Sequence, residues 1–194
     1  SLIDHTFTIN KRDLHLKADN QTSNYGDPSL PTNSFAVENG YTLATGDVLD
    51  TASYVYDVTT PVNAGTYSII PSAVTFAAGS FGNADDYNIT YDNGTLTINK
   101  MKLYVSVDDN SKFYGETDPT YIWSVTGGSL IGEDSLSGAP GRESGENVGT
   151  YAYTPGTLSA GDNYELHIST GTFTIKKLHV KVTPDAGQTK VYGD

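Results

Sequence analysis

One β-strand sequence, written three times, constrains the fold of this chain more than any other feature. The three copies read TFTINK, TLTINK and TFTIKK and begin at Thr6, Thr95 and Thr172. Each is followed by a second shared segment, LHLKAD, LYVSVDD or LHVKVT, in which apolar and polar residues alternate. Alternation with a period of two is typical of a strand with one buried face. The chain therefore consists of tandem copies of one β-rich unit.

Other landmarks recur in the same order and set the limits of the copies. NAGTY in the first copy matches NVGTY in the second, and DDYNITYDNGTLTI matches GDNYELHISTGTFTI. Their order predicts two complete repeats, residues 12–100 and residues 101–177. Residues 1–11 are then the tail of a preceding repeat, and residues 178–194 are the start of a further repeat.

The residue types along each repeat favour an all-β chain. Thr, Val, Ile and Tyr dominate the alternating segments, and Gly, Asn and Asp separate them. Asn93-Gly94 is a typical hairpin signal, and we interpret LATGDVLD and LIGEDSLSG as turns or single helical turns. We predict two small β domains, each with about six or seven short strands in a sandwich or a β-grasp-like sheet.

The connection between the two repeats is short. Only Lys100, Met101 and Lys102 separate the strand TLTIN from the strand LYVSV, and none of them is Gly or Pro. Flexible linkers are rich in Gly and Ser, and rigid spacers are rich in Pro. We therefore expect the last strand of one repeat to continue into the first strand of the next, with the domains arranged end to end in a stiff rod.

A Tyr-Gly-acidic motif follows the second shared strand in every copy. The glycine can adopt a positive φ and turn the chain, and the carboxylate can accept backbone N–H groups within the turn. The tyrosine ring can pack at the end of the domain, as in a tyrosine corner. We interpret the motif as structural, the alternative being a ligand platform made of the tyrosine and the carboxylate. Its residues in the two complete repeats are Tyr25, Gly26, Asp27, Tyr114, Gly115 and Glu116.

Charge and composition narrow the classes of partner. The 194 residues include 23 acidic and 11 basic side chains, a formal net charge of −12. Nucleic acid and anionic lipid are bound by Lys and Arg, so we expect neither as a partner. The chain has no Cys, which excludes disulfides and thiolate chemistry. No apolar run in this segment is long enough to cross a bilayer.

The acidic surface leaves calcium open as a ligand. Calcium takes six to eight oxygen ligands, often from carboxylates that lie close together in a loop. Neither an EF-hand loop nor a calcium-binding nonapeptide repeat is present. Calcium at a repeat junction is therefore a hypothesis, and we expect no other cofactor. Its candidate ligands are Asp86, Asp108 and Asp109.

Other site chemistries find no support in the residue pattern. The histidines are His5, His15, His167 and His179, and none has a second metal ligand at helical or hairpin spacing. We interpret His15 and His179, which alternate with apolar neighbours, as surface aromatics. No Ser or Thr stands beside a His in matching places of both repeats, so we predict no enzyme. A Lys–Asn isopeptide crosslink needs a buried Lys beside an Asn and a carboxylate, and Lys17 and Lys112 do not align between the repeats, so we predict no shared crosslink.

The motifs taken together resemble the MBG/YDG-type repeats of large bacterial surface proteins. The shared pattern includes Tyr-Gly-Asp/Glu-x-x-Pro, a Gly-Asp-Leu-like step, Asn-x-Gly-Thr-Tyr and Gly-Thr-Leu-Thr-Ile-x-Lys, and it covers residues 12–177 and both partial ends. The resemblance implies an extracellular tandem module of adhesin-like proteins and brings no catalytic residues. We therefore predict stalk or spacer repeats on the bacterial cell surface, which project a distal binding domain and have neighbouring repeats as partners.

A module that binds glycan or host protein within an adhesin is the alternative function. Aromatic side chains on one solvent-facing side would favour sugar binding, whereas their burial would favour the spacer. Trp123 lies in an alternating segment and is expected in the core. The discriminating residues are Tyr54, Tyr56, Trp123 and Tyr153.

Overall fold

The structure is a computed structural model that describes residues 6–58 and 63–193. In the first repeat its strands are β1 (Arg12–Ala18), β2 (Gln21–Asn24), β3 (Phe35–Val37), β4 (Ser53–Tyr56), β5 (Gly65–Ser72), β6 (Tyr87–Asp92) and β7 (Gly94–Asn99). In the second repeat they are β8 (Met101–Val107), β9 (Asn110–Phe113), β10 (Trp123–Gly127), β11 (Gly141–Arg142), β12 (Gly149–Thr154), β13 (Tyr164–Thr170) and β14 (Thr172–Lys176). The described residues contain one short 3-10 helix, Ala84–Asp86, and no α-helix, which confirms the all-β prediction.

Each repeat arranges its seven strands in two small sheets. The sheet orders are β3-β1-β6 and β2-β7-β5-β4 in the first repeat, and β10-β8-β13 and β11-β12-β14-β9 in the second. Three of these sheets are mixed, because β1, β7 and β14 each have one parallel and one antiparallel neighbour. Side chains from both sheets share a core, so each repeat has the two-layer arrangement of a sandwich, one of the two predicted alternatives.

The alternating residues of the first strand in each repeat form the cores as the sequence predicts. Leu14, Leu16 and Ala18 of β1 are fully buried, whereas Lys17 between them is exposed and His15 is half-buried. The first repeat has two buried clusters, one of Leu14, Leu16, Val74 and Tyr87 and one of Ala18, Ile69, Leu96 and Ile98. The core of the second repeat contains Val105, Val107, Tyr153, Leu158, Phe173 and Ile175.

The hairpin expected at Asn93-Gly94 is not formed. Strands β6 and β7 on either side of Asn93 belong to different sheets, so this residue connects two layers. Gly94 is buried, and a Cβ atom placed there would lie 2.6 Å from the carbonyl oxygen of Ala18. The glycine therefore permits a close approach of two backbones, and the hairpin prediction is wrong because packing, and not a turn type, selects the residue.

The two predicted turn segments are confirmed. The amide of Asp47 donates to the carbonyl of Ala44 at 3.1 Å, and the amide of Asp134 donates to the carbonyl of Ile131 at 3.0 Å. Both bonds join residues three apart, as in a β-turn. At the N-terminal end, residues 6–11 form no strand and leave Phe7 and Ile9 exposed.

The described residues fall into two compact units. The first comprises residues 6–101 together with Gly161–Glu165, and the second comprises Lys102–Ala160 with residues 166–193. Only Lys100 separates β7 from β8, in agreement with the short connection expected from the sequence. The repeat limits 12–100 and 101–177 stay predictions. Within the described part of the chain, no helix is long and apolar enough to cross a membrane.

Candidate functional site

The Tyr-Gly-acidic motif forms the same tight turn in both complete repeats. Gly26 and Gly115 have φ angles of 87° and 88°, a region that favours glycine. The carboxylate of Asp27 accepts the amide of Asn24 at 2.7 Å, and that of Glu116 accepts the amide of Phe113 at 2.8 Å. The hydrogen bond from Ser23 and that from the Asn24 amide lower the pKa of Asp27. In both repeats the acidic residue thus binds back to the residue that begins the turn.

The two tyrosines of this motif have different surroundings. Tyr25 is half-buried and packs against the Ala18 cluster of the first unit. Tyr114 is 52% exposed and lines a shallow groove in the second unit with Val148, Leu178 and Val180. The ring of Tyr114 therefore does not take the buried position that the tyrosine-corner interpretation expects.

The proposed calcium ligands do not form a cluster. Among the described residues, the carboxylates of Asp86, Asp108 and Asp109 belong to no group of three ligand atoms within 4.8 Å of one another. Asp86 closes the capping box of the 3-10 helix by accepting the amide of Asn83 at 2.9 Å. A local acceptor role therefore accounts for this residue without an ion.

Asp109 has a role that the first repeat fulfils with a neutral side chain. Its Oδ1 accepts the amide of Thr172 at 2.7 Å, and in the first repeat the Oδ1 of Asn20 accepts the amide of Thr95 at 2.9 Å. An amide and a carboxylate share only the ability to accept this bond. The position thus selects a hydrogen-bond acceptor at the start of the last strand and does not require negative charge.

The four aromatic residues that discriminate the two functions are buried in a core or pack against one. Tyr153 is buried in the core of the second unit, and Trp123 packs against that core, as expected. Tyr54 and Tyr56 are half-buried against the Ala18 cluster of the first unit. None of these four side chains is an exposed platform, which is the arrangement that favours the spacer.

A charged group built around two buried cations in the second unit was not predicted. Lys112 is only 5% exposed, and its Nζ lies 2.7 Å from Oδ1 of Asp118 and also donates to Glu146. Arg142, with 7% of its side chain exposed, donates from Nε to Asp118 at 2.6 Å and from Nη2 to Glu146 at 2.7 Å. We call Lys112, Asp118, Arg142 and Glu146 the ion cluster. Two cations thus share two carboxylates, which is the pairing that buried charges require.

The surroundings of the ion cluster strengthen it. Arg142 also donates to the carbonyls of Glu143 and Gly145, and its guanidinium lies 5.0 Å from the ring centre of Tyr151 and 4.9 Å from that of Phe173. The hydroxyl of Tyr121 donates to Asp118 at 2.8 Å. Burial and this hydrogen bond raise the pKa of Tyr121 to about 12.

The charge state of the ion cluster argues against an isopeptide crosslink. Lys112 is buried beside carboxylates, as such a crosslink requires, but amide formation needs Asp118 to lose an oxygen as water. The hydrogen bond from Arg142, followed by that from Lys112, holds the pKa of Asp118 far below its usual range. The hydrogen bonds that Lys112 donates to Asp118 and Glu146 raise the pKa of Lys112. Both groups are therefore held in their charged forms, which form an ion pair and do not condense.

Acidification is expected to weaken the second unit, because Asp118 has a lower pKa in the folded protein than in the unfolded chain. This carboxylate adds stability above its unfolded pKa of about 4, and the contribution is lost as the pH falls below that value. The urea midpoint of the unit, followed by the fluorescence of the single Trp123, should drop on acidification. In Asp118→Asn the same drop should be smaller, and equal drops in the two proteins would contradict the prediction.

A second charged group was also missed, and it lies in the first unit. Ligand atoms of His15, Glu38 and Asp92 all lie within 4.8 Å of one another, and each side chain is half-buried. His15 is a solvent-facing aromatic, as interpreted, but the sheet gives it two neighbouring ligands that helical or hairpin spacing does not predict. Of the other histidines, His179 is exposed, His167 stacks on Tyr104, and His5 lies outside the described residues.

These features define a protein of two tandem β domains, each of which contains the Tyr-Gly-acidic turn. The family model of the MBG domain (YGX type) matches residues 14–97 and 103–174. The chain belongs to the MBG domain family, as its motifs indicate. No curated protein and no solved structure matches the chain.

Proposed function

We propose that the two repeats are stalk modules of a bacterial cell-surface adhesin and hold a distal binding domain away from the cell. MBG domains are found in surface proteins, which supports an extracellular location. The observation that carries the proposal is the burial of the aromatic side chains, since Tyr153 is in a core and Tyr54, Tyr56 and Trp123 pack against one. A module built to bind sugar displays such rings. The proposed partners are neighbouring repeats of the same chain, and no catalytic role is proposed.

Small-angle X-ray scattering tests the mechanical part of this proposal. A stalk needs repeats whose separation stays fixed. The connection through Lys100 contains no Gly or Pro, so it lacks the residues of a flexible linker. We expect the scattering profile of a stiff elongated particle. A variant with a Gly/Ser linker inserted after Lys100 provides the control and should give a broader distribution of distances. A compact particle, or an unmodified chain that scatters like the linker variant, would contradict the stalk.

A binding module is the second candidate, and the groove beside Tyr114 is the observation that favours it. Tyr114, Val148 and Leu178 are exposed and line this groove in the second unit. A glycan array and a host-protein binding screen test it. Reproducible binding that is lost in Tyr114→Ala and kept in Tyr192→Ala, a fully exposed tyrosine, would place binding above the stalk.

A further inference from the structure

The register of the first sheet brings three metal-ligand side chains together. His15 lies on the central strand β1, and the amide of Glu38, the residue after β3, donates to the carbonyl of His15 at 3.0 Å. On the other side of β1, β6 ends at Asp92, whose Cα pairs with that of Lys17. His15 and Lys17 are two positions apart and share one face, so Asp92 is a diagonal neighbour of His15.

A turn holds one of these ligands and orients another. Residues 38–41 form a β-turn in which the amide of Tyr41 donates to the carbonyl of Glu38 at 3.1 Å, with Gly40 at a φ of 95°. The turn brings the ring of Tyr41 onto His15, with 3.9 Å between the ring centres and 14° between the planes. The imidazole is thus fixed by stacking on a turn whose first residue is itself a ligand.

The chemistry of this group distinguishes it from the calcium hypothesis. One imidazole nitrogen and two carboxylate oxygens suit zinc and other first-row transition metals, whereas calcium prefers oxygen ligands alone. Lys17 forms an ion pair with one of these groups: its Nζ is 3.8 Å from Glu38, and 53% of its side chain is exposed. An exposed pair at this distance is weak, so Lys17 does not compete strongly with a divalent ion.

The second repeat lacks this ligand set and serves as an internal comparison. Tyr104 stands at the place of His15, counted from the shared leucine before it, and its partner across the sheet, where His15 has Glu38, is Gly127. Neither residue is a usual ligand of zinc. A metal site at this sheet position is therefore a property of the first repeat alone.

We infer that His15, Glu38 and Asp92 form a binding site for a divalent transition-metal ion on the solvent face of the first sheet. The inference is independent of the stalk proposal, because it depends only on groups within the first unit. Two acidic ligands and one neutral imidazole offer a net charge of −2, which a divalent ion balances. Three protein ligands leave at least one coordination position open, as in exchangeable zinc sites.

Isothermal titration of the untagged chain with zinc chloride tests the site. We expect one zinc ion per chain and a melting temperature that rises with zinc and returns with EDTA, since binding to the folded state alone stabilises it. Calcium chloride at the same ionic strength should leave the melting temperature unchanged. A rise with calcium that equals the rise with zinc would overturn the assignment to a transition metal.

Matched variants decide whether the bound ion is at this site. His15→Ala, Glu38→Gln and Asp92→Asn should each weaken zinc binding at least tenfold with an unchanged circular dichroism spectrum. His179→Ala removes an exposed histidine and Asp50→Asn an exposed carboxylate, and both should bind zinc as the unmodified chain does. Absence of saturable binding, or equal loss in His15→Ala and His179→Ala, would overturn the inference.

Discussion

Replacing Arg142 with alanine is expected to be among the most destabilising changes in the second unit. The change removes the two hydrogen bonds from Arg142 to Asp118, at 2.6 and 3.0 Å, and the bond to Glu146, and it leaves Asp118 paired with Lys112 alone. It also removes the cover that the guanidinium gives to Phe173. Breaking a buried ion pair costs about 3–5 kcal/mol, and we expect about 3 kcal/mol because a third of the Asp118 side chain stays in contact with water. Urea unfolding followed by Trp123 fluorescence measures the loss.

The control for this prediction is an ion pair at the surface. Lys17→Ala removes the pair with Glu38, which lies at 3.8 Å and is largely solvated, and should cost the first unit less than about 1 kcal/mol, as measured by the near-ultraviolet circular dichroism of its tyrosines. Arg142→Met keeps the packing of the side-chain stem and removes the charge, so it separates the two contributions. Equal stabilities of Arg142→Ala and the unmodified chain would show that the ion cluster contributes nothing to the second unit.

The buried face of the first strand and the turn of the Tyr-Gly-acidic motif were predicted correctly, because both follow from local sequence. The alternation of Leu14 and Leu16 with polar residues specifies the buried face of β1 without reference to any other segment. The turns at Gly26 and Gly115 follow from a glycine beside an acidic residue that can bind back to the turn. Because the motif occurs in both repeats, each copy supports the turn prediction for the other.

The hairpin prediction at Asn93-Gly94 was wrong because two different backbone arrangements favour glycine at such a position. A glycine after Asn93 suits a tight turn, but it also suits a place where two backbones meet. The second repeat has Thr170 before the corresponding Gly171, which is a poor hairpin turn. The two repeats therefore share only the glycine at this position, and not the Asn-Gly pair that a tight hairpin turn prefers.

Both charged groups were missed because their members are far apart in sequence. His15 and Asp92 meet only through the parallel pairing of β1 with β6, and no local pattern specifies that pairing. Lys112 and Arg142 stand at inward-facing places where the first repeat has Ser23 and Tyr56. Aligning the two repeats could have revealed the ion cluster. A charged residue at an inward-facing position that is neutral in the other repeat needs an oppositely charged partner nearby.

Replacing Gly171 with alanine is expected to disrupt the second unit by a backbone collision. A Cβ atom there would lie 1.9 Å from the carbonyl oxygen of Val107, and the φ of 96° is unfavourable for alanine. The left-handed conformation costs about 1–2 kcal/mol, and shifting the well-packed strand costs about 1–3 kcal/mol more. The expected loss of about 2–5 kcal/mol is measured by urea unfolding with Trp123 as the probe.

A second glycine separates the collision from the conformational cost. Gly132 has a φ of 57° and no atom within 4 Å of its ideal Cβ position, so Gly132→Ala should lose only the cost of the left-handed conformation. In the first repeat, Gly94→Ala meets the carbonyl of Ala18 at 2.6 Å without a positive φ and isolates the collision alone. Because its unit contains no Trp, near-ultraviolet circular dichroism of its tyrosines is the readout. If Gly171→Ala lowered the free energy of unfolding no more than Gly132→Ala does, the collision with Val107 would not be the reason for glycine between the last two strands.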